Sequence, residues 1–393
     1  MPDVRPNAIL PEPPDELKQV SRALTGQLRA RIESDGFLSF RDYMEAALYT
    51  PGLGYYSAGL AKFGADGDFV TSPELGWVFS RCLAAQAADI GHEIGRWDIL
   101  EIGAGSGRLA AGVLNALGED GPGRYRILER SADLRAVQKD TIATHAAAHL
   151  DRVEWLDTPP DAPWDGVILA NEVIDALAVE RFTLADGVIR QLGVRIDGDG
   201  FAWDARNAPE RLAGAAESAL GERLGHLEDG YVSELCLDLP GWLATVTATL
   251  RRGVALMIDY GHPRDEYYRP ERRDGTLVCH YRHRAHDDPF FWPGLQDLTA
   301  FVDFTAIAEA GDACGLDCAG YAPQAQFLIG CGMESVLAGM ADLPDTARFD
   351  LAREVRMLTL PGAMGEKFQV MALARDFDTP LRGFGLADMR GYL

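Results

Sequence analysis

The stretch "DILEIGAGSGRL" (Asp98–Leu109) decides the fold. "DILEI" is an apolar run of strand length. Gly103, Gly105 and Gly107 follow at alternate positions, and a helical apolar period begins at Arg108. A strand that turns on glycines into a helix lets the backbone approach a nucleotide-like ligand closely. Three ligands suit such a turn: a nucleoside triphosphate, a dinucleotide and S-adenosylmethionine. A phosphate-binding loop ends in Gly-Lys-Ser/Thr, whereas Gly107 is followed by Arg108 and Leu109, which excludes it. The dinucleotide fingerprint asks for a third glycine three residues after the second. Counted from Gly103 that position is Arg108; counted from Gly105, the series Gly105, Gly107, Ala110 meets the looser form, so this alternative stays open.

Two acids favour S-adenosylmethionine. Glu101 lies two residues before Gly103, so strand alternation sends it to the face of the turn, where it can hold the ammonium of a methionine moiety. Glu129 ends the next strand, "RYRILER" (124–130), where a carboxylate can accept both ribose hydroxyls. Both acids suit a cationic nucleoside without phosphates, and Glu101 would repel a pyrophosphate.

Working outward, strands and helices alternate. "WDILEI", "RYRILER", "RVEWL" and "WDGVILA" read as strands with helical periods between the first three, and "GVALMIDYG" (253–261) as a fifth buried strand. This rhythm predicts a mostly parallel sheet wrapped on both faces. Residues 14–33 and 40–48 read as helices. "RFTLADGVIRQLGVRIDGDGFAWDA" (181–205) reads as an antiparallel meander with Asp-Gly turns at Asp186 and Asp199. Residues 261–296 read as a long polar loop, and "EKFQVMALAR" (366–375) as the last strand.

A second constellation follows the fourth strand in "GVILANEVIDALAVERF" (166–182). In a doubly wound sheet the ligand crevice lies where the strand order reverses, which points Asn171, Glu172 and Asp175 at the methyl donor. Glu172 and Asp175 would share a face if a helix began there. Two carboxylates suit a planar guanidinium, which they can orient by paired hydrogen bonds. His262, after the fifth strand, is a candidate proton acceptor.

The 393 residues carry 37 Lys and Arg against 60 Asp and Glu, a net charge of −23. Such a surface disfavours nucleic acid and favours a cationic ligand or a basic segment of another protein. No apolar run approaches eighteen residues, so no membrane insertion is expected. The Pro-rich, acidic start, "MPDVRPNAILPEPPDELKQ", lacks the features of a signal or transit peptide, and a cytoplasmic location is expected. Cys82, Cys236, Cys279, Cys314, Cys318 and Cys331 have no zinc-ligand pairing; Cys314 and Cys318 read as one helix face. His280, His283 and His286 with Asp287 and Asp288 have ligand-like spacing but read as a polar surface loop, so no metal is expected. "FFWPG" (290–294) reads as apolar packing of that loop or a substrate lip.

Taken with "GYYSAGLAKFGADGDFVTSPELGWVFS" (54–80) and "MIDYGHPRDEYYRPERRDGTLVCHYRHRAHDDPFFWPGLQDLTAFVDF" (257–304), these motifs resemble the MidA-type methyltransferases over residues 15–375. These are relatives of the mitochondrial complex I assembly factor that methylates arginine. The resemblance implies a class I S-adenosylmethionine-dependent fold, Rossmann-like, with a mostly parallel seven-stranded sheet. It implies an N-terminal helical segment (1–95) closing over the cofactor, and a methyltransferase domain (96–393) with insertions near 180–240 and 261–300. It further implies methylation of arginine on a protein, with a complex I subunit expected for the eukaryotic branch only. Family positions fall on Gly103, Gly105, Gly107, Glu129, Asn171, Glu172 and Asp175, and on Asp68, Thr71, Ser72, Pro73 and Glu74 for the N-terminal motif. The chain departs from the family pattern at Val173, Ile174, Ala178 and Phe301. A small-molecule methyltransferase and a cofactor-binding assembly factor without essential catalysis remain the alternatives, and the oligomeric state is open.

Overall fold

The computed structural model describes residues 10–57, 71–340 and 343–393. The chain divides into two compact units. One comprises residues 70–174, 240–263 and 302–393, the other residues 1–69, 175–239 and 264–301.

The first unit is built on the alternation that the apolar runs dictate. Its elements include α1 (Val78–Ile94), β1 (Asp98–Ile102), α2 (Arg108–Leu117), β2 (Tyr125–Leu128), α3 (Ala132–His145), β3 (Val153–Leu156), β4 (Trp164–Asn171), β5 (Leu250–His262), α4 (Phe304–Ala313), β6 (Asp317–Pro323) and β7 (Phe368–Arg375). Among the described residues the sheet has eight strands where seven are expected: seven in the order β6-β7-β5-β4-β1-β2-β3, and a short one, Val302–Asp303, that pairs parallel with the end of β5 off this path. The pairs among β5, β4, β1, β2 and β3 are parallel, while β7 runs antiparallel to both β5 and β6. Val167, Ile168, Leu169 and Val254 to Ile258 are buried, as central strands covered on both faces require. Each Val, Leu, Ile or Met among them contributes roughly 1.5–3 kcal/mol relative to exposure. β1 and β4 are neighbours from which the chain winds outward in opposite directions, so the strand order reverses between them and their carboxyl ends flank the crevice.

The second unit has helices Asp15–Asp35 and Phe40–Tyr49, the latter capped by the Ser39 hydroxyl accepting from the Asp42 N–H at 3.1 Å. A five-stranded antiparallel sheet contains the expected meander. Its first turn places Asp186 and Gly187 at positive φ, and its second centres on Gly198 and Asp199, one residue earlier than the Asp-Gly reading. Phe40, Tyr43, Phe201, Trp203 and Phe290 stack in its core. Phe290 therefore serves packing.

Residues 261–296 are not one polar loop. Strands Val278–Tyr281, Arg284–His286 and Asp297–Thr299 form a separate three-stranded sheet. His286 is buried within it, and burial drives the imidazole of His280 down to about 4, so both contradict the surface-loop reading. Cys314 caps the end of α4 while Cys318 lies on β6, so the two do not share a helix face. Among the described residues no helix is long and apolar enough to cross a membrane.

Candidate functional site

The site residues that can be placed against one another belong to the first unit, at the carboxyl ends of β1, β2, β4 and β5. Gly103, Gly105 and Gly107 all have positive φ, at +64°, +54° and +85°, a region that ordinary residues rarely enter. Gly107 has a second constraint: a Cβ there would stand 3.0 Å from the Gln138 Cα on α3. This glycine is fixed by helix packing as much as by ligand approach.

Glu101, fourth residue of β1, is 2 % exposed. The Tyr125 hydroxyl donates to its Oε2 at 2.7 Å. Burial pushes this carboxyl up to about 7, and the Tyr125 bond opposes the rise only in part. A buried carboxylate held so high is relieved by a cation brought beside it, and the ammonium of a methionine moiety has that charge.

Glu129 directly follows β2. Its Oε1 accepts the Ser131 N–H at 2.8 Å, and its Oε2 accepts from Gln138 Nε2 at 3.1 Å. The Arg135 guanidinium donates to its carbonyl at 2.6 Å. The carboxylate is thus braced in one orientation. Sequence reasoning missed Gln138, although it sits on the buried face of α3 with Leu134 and Ile142, where a polar residue is the exception.

At the end of β4 no helix begins, so the condition for Glu172 and Asp175 to share a face is not met. Glu172 has φ +55°, and residues 172–177 run through bends and a turn. Its N–H donates to the Ile258 carbonyl at 2.8 Å, and the buried Asp259 accepts the Ile174 N–H at 2.9 Å. Two bonds from β5 therefore over-determine a conformation that a non-glycine residue adopts at a cost. The strand-end place of Asp259 at the crevice edge is legible in the sequence, but its hold on the Ile174 N–H is not. The Glu172 carboxylate accepts from Asn171 Nδ2 at 3.0 Å and from the Ser72 N–H at 3.2 Å. Asn171 Oδ1 is buried with no hydrogen-bond partner among the described residues.

The motif around Thr71, Ser72, Pro73 and Glu74 meets the glycine turn. Ser106 donates to the Glu74 carboxylate, Arg108 Nε lies 3.7 Å from the same group, and Arg108 also donates to the Pro73 carbonyl at 3.3 Å. Thr71 precedes the short helix Ser72–Leu75 without capping it through its side chain. Glu354 accepts the Val78 N–H at 2.6 Å and so fixes the start of α1 just beyond the motif. Asp68 lies outside the described residues.

Asp175 begins the other unit. It is buried, its carbonyl accepts the Ala300 N–H at 3.1 Å, and it lies among Tyr49, Tyr56 and Asp297. With no helical turn joining it to Glu172, the shared-face reading of the two acids is corrected. His262 closes β5, in register with Asp303.

The family model for an S-adenosyl-L-methionine-dependent methyltransferase matches residues 80–322. Protein arginine methyltransferase NDUFAF7, mitochondrial, of Danio rerio is 27% identical over 391 residues, covering 90% of this chain and 87% of its own. The Homo sapiens protein of that name is 27% identical, with 88% and 82% covered. A crystal structure of a Burkholderia thailandensis protein bound to S-adenosyl-homocysteine is 41% identical, covers 98% of this chain and 100% of that one, and superposes with a TM-score of 0.92. The expected cytoplasmic location does not stand, because the curated relatives are named as mitochondrial proteins.

Proposed function

Because the chain belongs to the S-adenosyl-L-methionine-dependent methyltransferase family, we propose that it transfers a methyl group to an arginine side chain of a protein. The observation that carries this reading is the convergence at the strand-order reversal. Glu101, the three positive-φ glycines and Glu129 stand on one side, and the Asn171-Glu172 corner on the other. The mostly parallel central order with an antiparallel β7 supports the class I, Rossmann-like assignment.

In this reading the Glu101 carboxylate receives the ammonium of the methionine moiety, Glu129 accepts the ribose hydroxyls, and the glycine turn passes beneath the nucleoside. When bound, S-adenosylmethionine supplies an electrophilic methyl on a sulfonium. On the acceptor side Glu172, held by Asn171 and the Ser72 N–H, accepts hydrogen bonds from a guanidinium and aligns one nitrogen for in-line attack. The methylated nitrogen then sheds its proton to Glu172 or toward His262. Pro73 and Glu74 brace the glycine turn through Arg108 and Ser106, and Ser72 holds Glu172. Arginine is favoured as acceptor by the carboxylate at the corner, by the net charge of −23 and by the name that the relatives carry.

Incubation with methyl-labelled cofactor and a mitochondrial extract tests this. Label is expected on protein, recovered as methylarginine after hydrolysis, and reduced at least about 100-fold by Glu172→Gln, with S-adenosyl-homocysteine binding retained. Label passing a size-cutoff filter instead would select a small-molecule acceptor. Undiminished transfer by the variant would remove Glu172 from the chemistry.

A further inference from the structure

Gln138 is fully buried on α3, and its amide makes three hydrogen bonds. Trp155 Nε1 on β3 donates to Gln138 Oε1 at 3.0 Å, while Gln138 Nε2 donates to Glu129 Oε2 and to the Gly105 carbonyl, both at 3.1 Å. An indole N–H can only donate, so the atom facing it must be the amide oxygen. That fixes the amide, and both of its N–H groups are then spent on acceptors of the cofactor side. We infer that Gln138 is a positioning residue for the cofactor: locked by Trp155, it ties the Glu129 carboxylate to the glycine turn and sets the spacing between them.

The physical argument rests on what Glu129 needs. A carboxylate that accepts two ribose hydroxyls must hold its plane in one orientation, and a freely rotating side chain loses that arrangement. Ser131 fixes one oxygen through its backbone N–H, and Gln138 fixes the other. The second N–H of the same amide holds Gly105, whose neighbour Gly107 packs directly on the Gln138 backbone. One side chain therefore registers the two halves of the nucleoside cradle. The Trp155 indole decides which way the amide faces.

This inference rests on Glu129 being the ribose acceptor, and a double-variant cycle separates the two claims. Calorimetric titration with S-adenosyl-homocysteine compares the wild-type chain, Glu129→Gln, Gln138→Met, Trp155→Phe and the Glu129→Gln/Gln138→Met pair. Each single change at 129 or 138 is expected to weaken binding about tenfold. Trp155→Phe weakens it less. The double variant loses clearly less than the product of the two single losses, because both act on one carboxylate. Wild-type affinity in Gln138→Met, or losses that multiply in full, would overturn the inference while leaving Glu129 in place. Wild-type affinity in Glu129→Gln would instead overturn the ribose reading. If Gln138→Met does not fold, Trp155→Phe alone and combined with Glu129→Gln gives the same cycle: a loss that vanishes in the Glu129→Gln background supports the inference, and no loss overturns it.

Discussion

Glu101 carries the most chemistry of any single residue. Its carboxyl is raised from 4.5 to about 7, so between those values the folded protein holds a proton that the unfolded chain lacks. Ligand-free stability therefore falls as pH rises from about 4.5 through 7, by roughly 3 kcal/mol across the window. Glu101→Gln is expected to flatten that dependence in a denaturant series at several pH values, since the amide never ionises. The same variant should weaken S-adenosyl-homocysteine about tenfold or more at pH 8, because an ammonium facing a neutral amide loses its ion pair. In the wild type that affinity should climb through pH 7 as the carboxyl ionises. A stability curve unchanged by Glu101→Gln would show that another group titrates. The strand-end places of Glu101 and Glu129 are legible in the sequence, because Glu101 lies just before the glycine turn and Glu129 closes the next strand-like run. The roles of Gln138 and Asp259 are not: Gln138 shows only as a polar residue on an apolar helix face and Asp259 only as the end of an apolar run, while their hydrogen-bond partners lie in other elements.

At the scale of elements, the parallel strands are legible for a simple reason. A strand buried on both faces is a continuous apolar run, and "WDGVILA" and "GVALMIDYG" are such runs. The segment after β4 misleads because Glu172 and Asp175 have helical spacing, while a left-handed φ at a glutamate has no sequence signal. What enforces it is β5, through the Ile258 carbonyl and Asp259. An asparagine at 259 has one carbonyl oxygen where the carboxylate has two, each taking a backbone N–H, from Ile174 and Tyr260. Asp259→Asn is accordingly expected to cost about 1–3 kcal/mol in chemical denaturation. It should also slow methyl transfer more than it weakens S-adenosyl-homocysteine, since the acceptor corner moves and Glu129 does not. Equal losses in both would make Asp259 a general structural residue. The three-stranded sheet that buries His286 escapes reading for a related cause: histidines and charges mask the apolar partners between them.

Across the whole molecule, charge is the property with the longest reach. A net charge of −23 attracts a basic segment over about a Debye length, roughly 8 Å at physiological ionic strength. The apparent KM for a protein acceptor should rise several-fold between low and physiological salt, with kcat nearly constant. A KM indifferent to salt would point to a neutral or small acceptor. The binding outcomes among these presuppose that the acids at the ends of β1 and β2 hold the cofactor. A crystal structure of this protein with S-adenosyl-homocysteine tests that most directly. The expected result is the ammonium within hydrogen-bonding reach of Glu101, directly or through one water, both ribose hydroxyls on Glu129, and the sulfur turned toward Asn171 and Glu172. A ligand seated away from both carboxylates would contradict it.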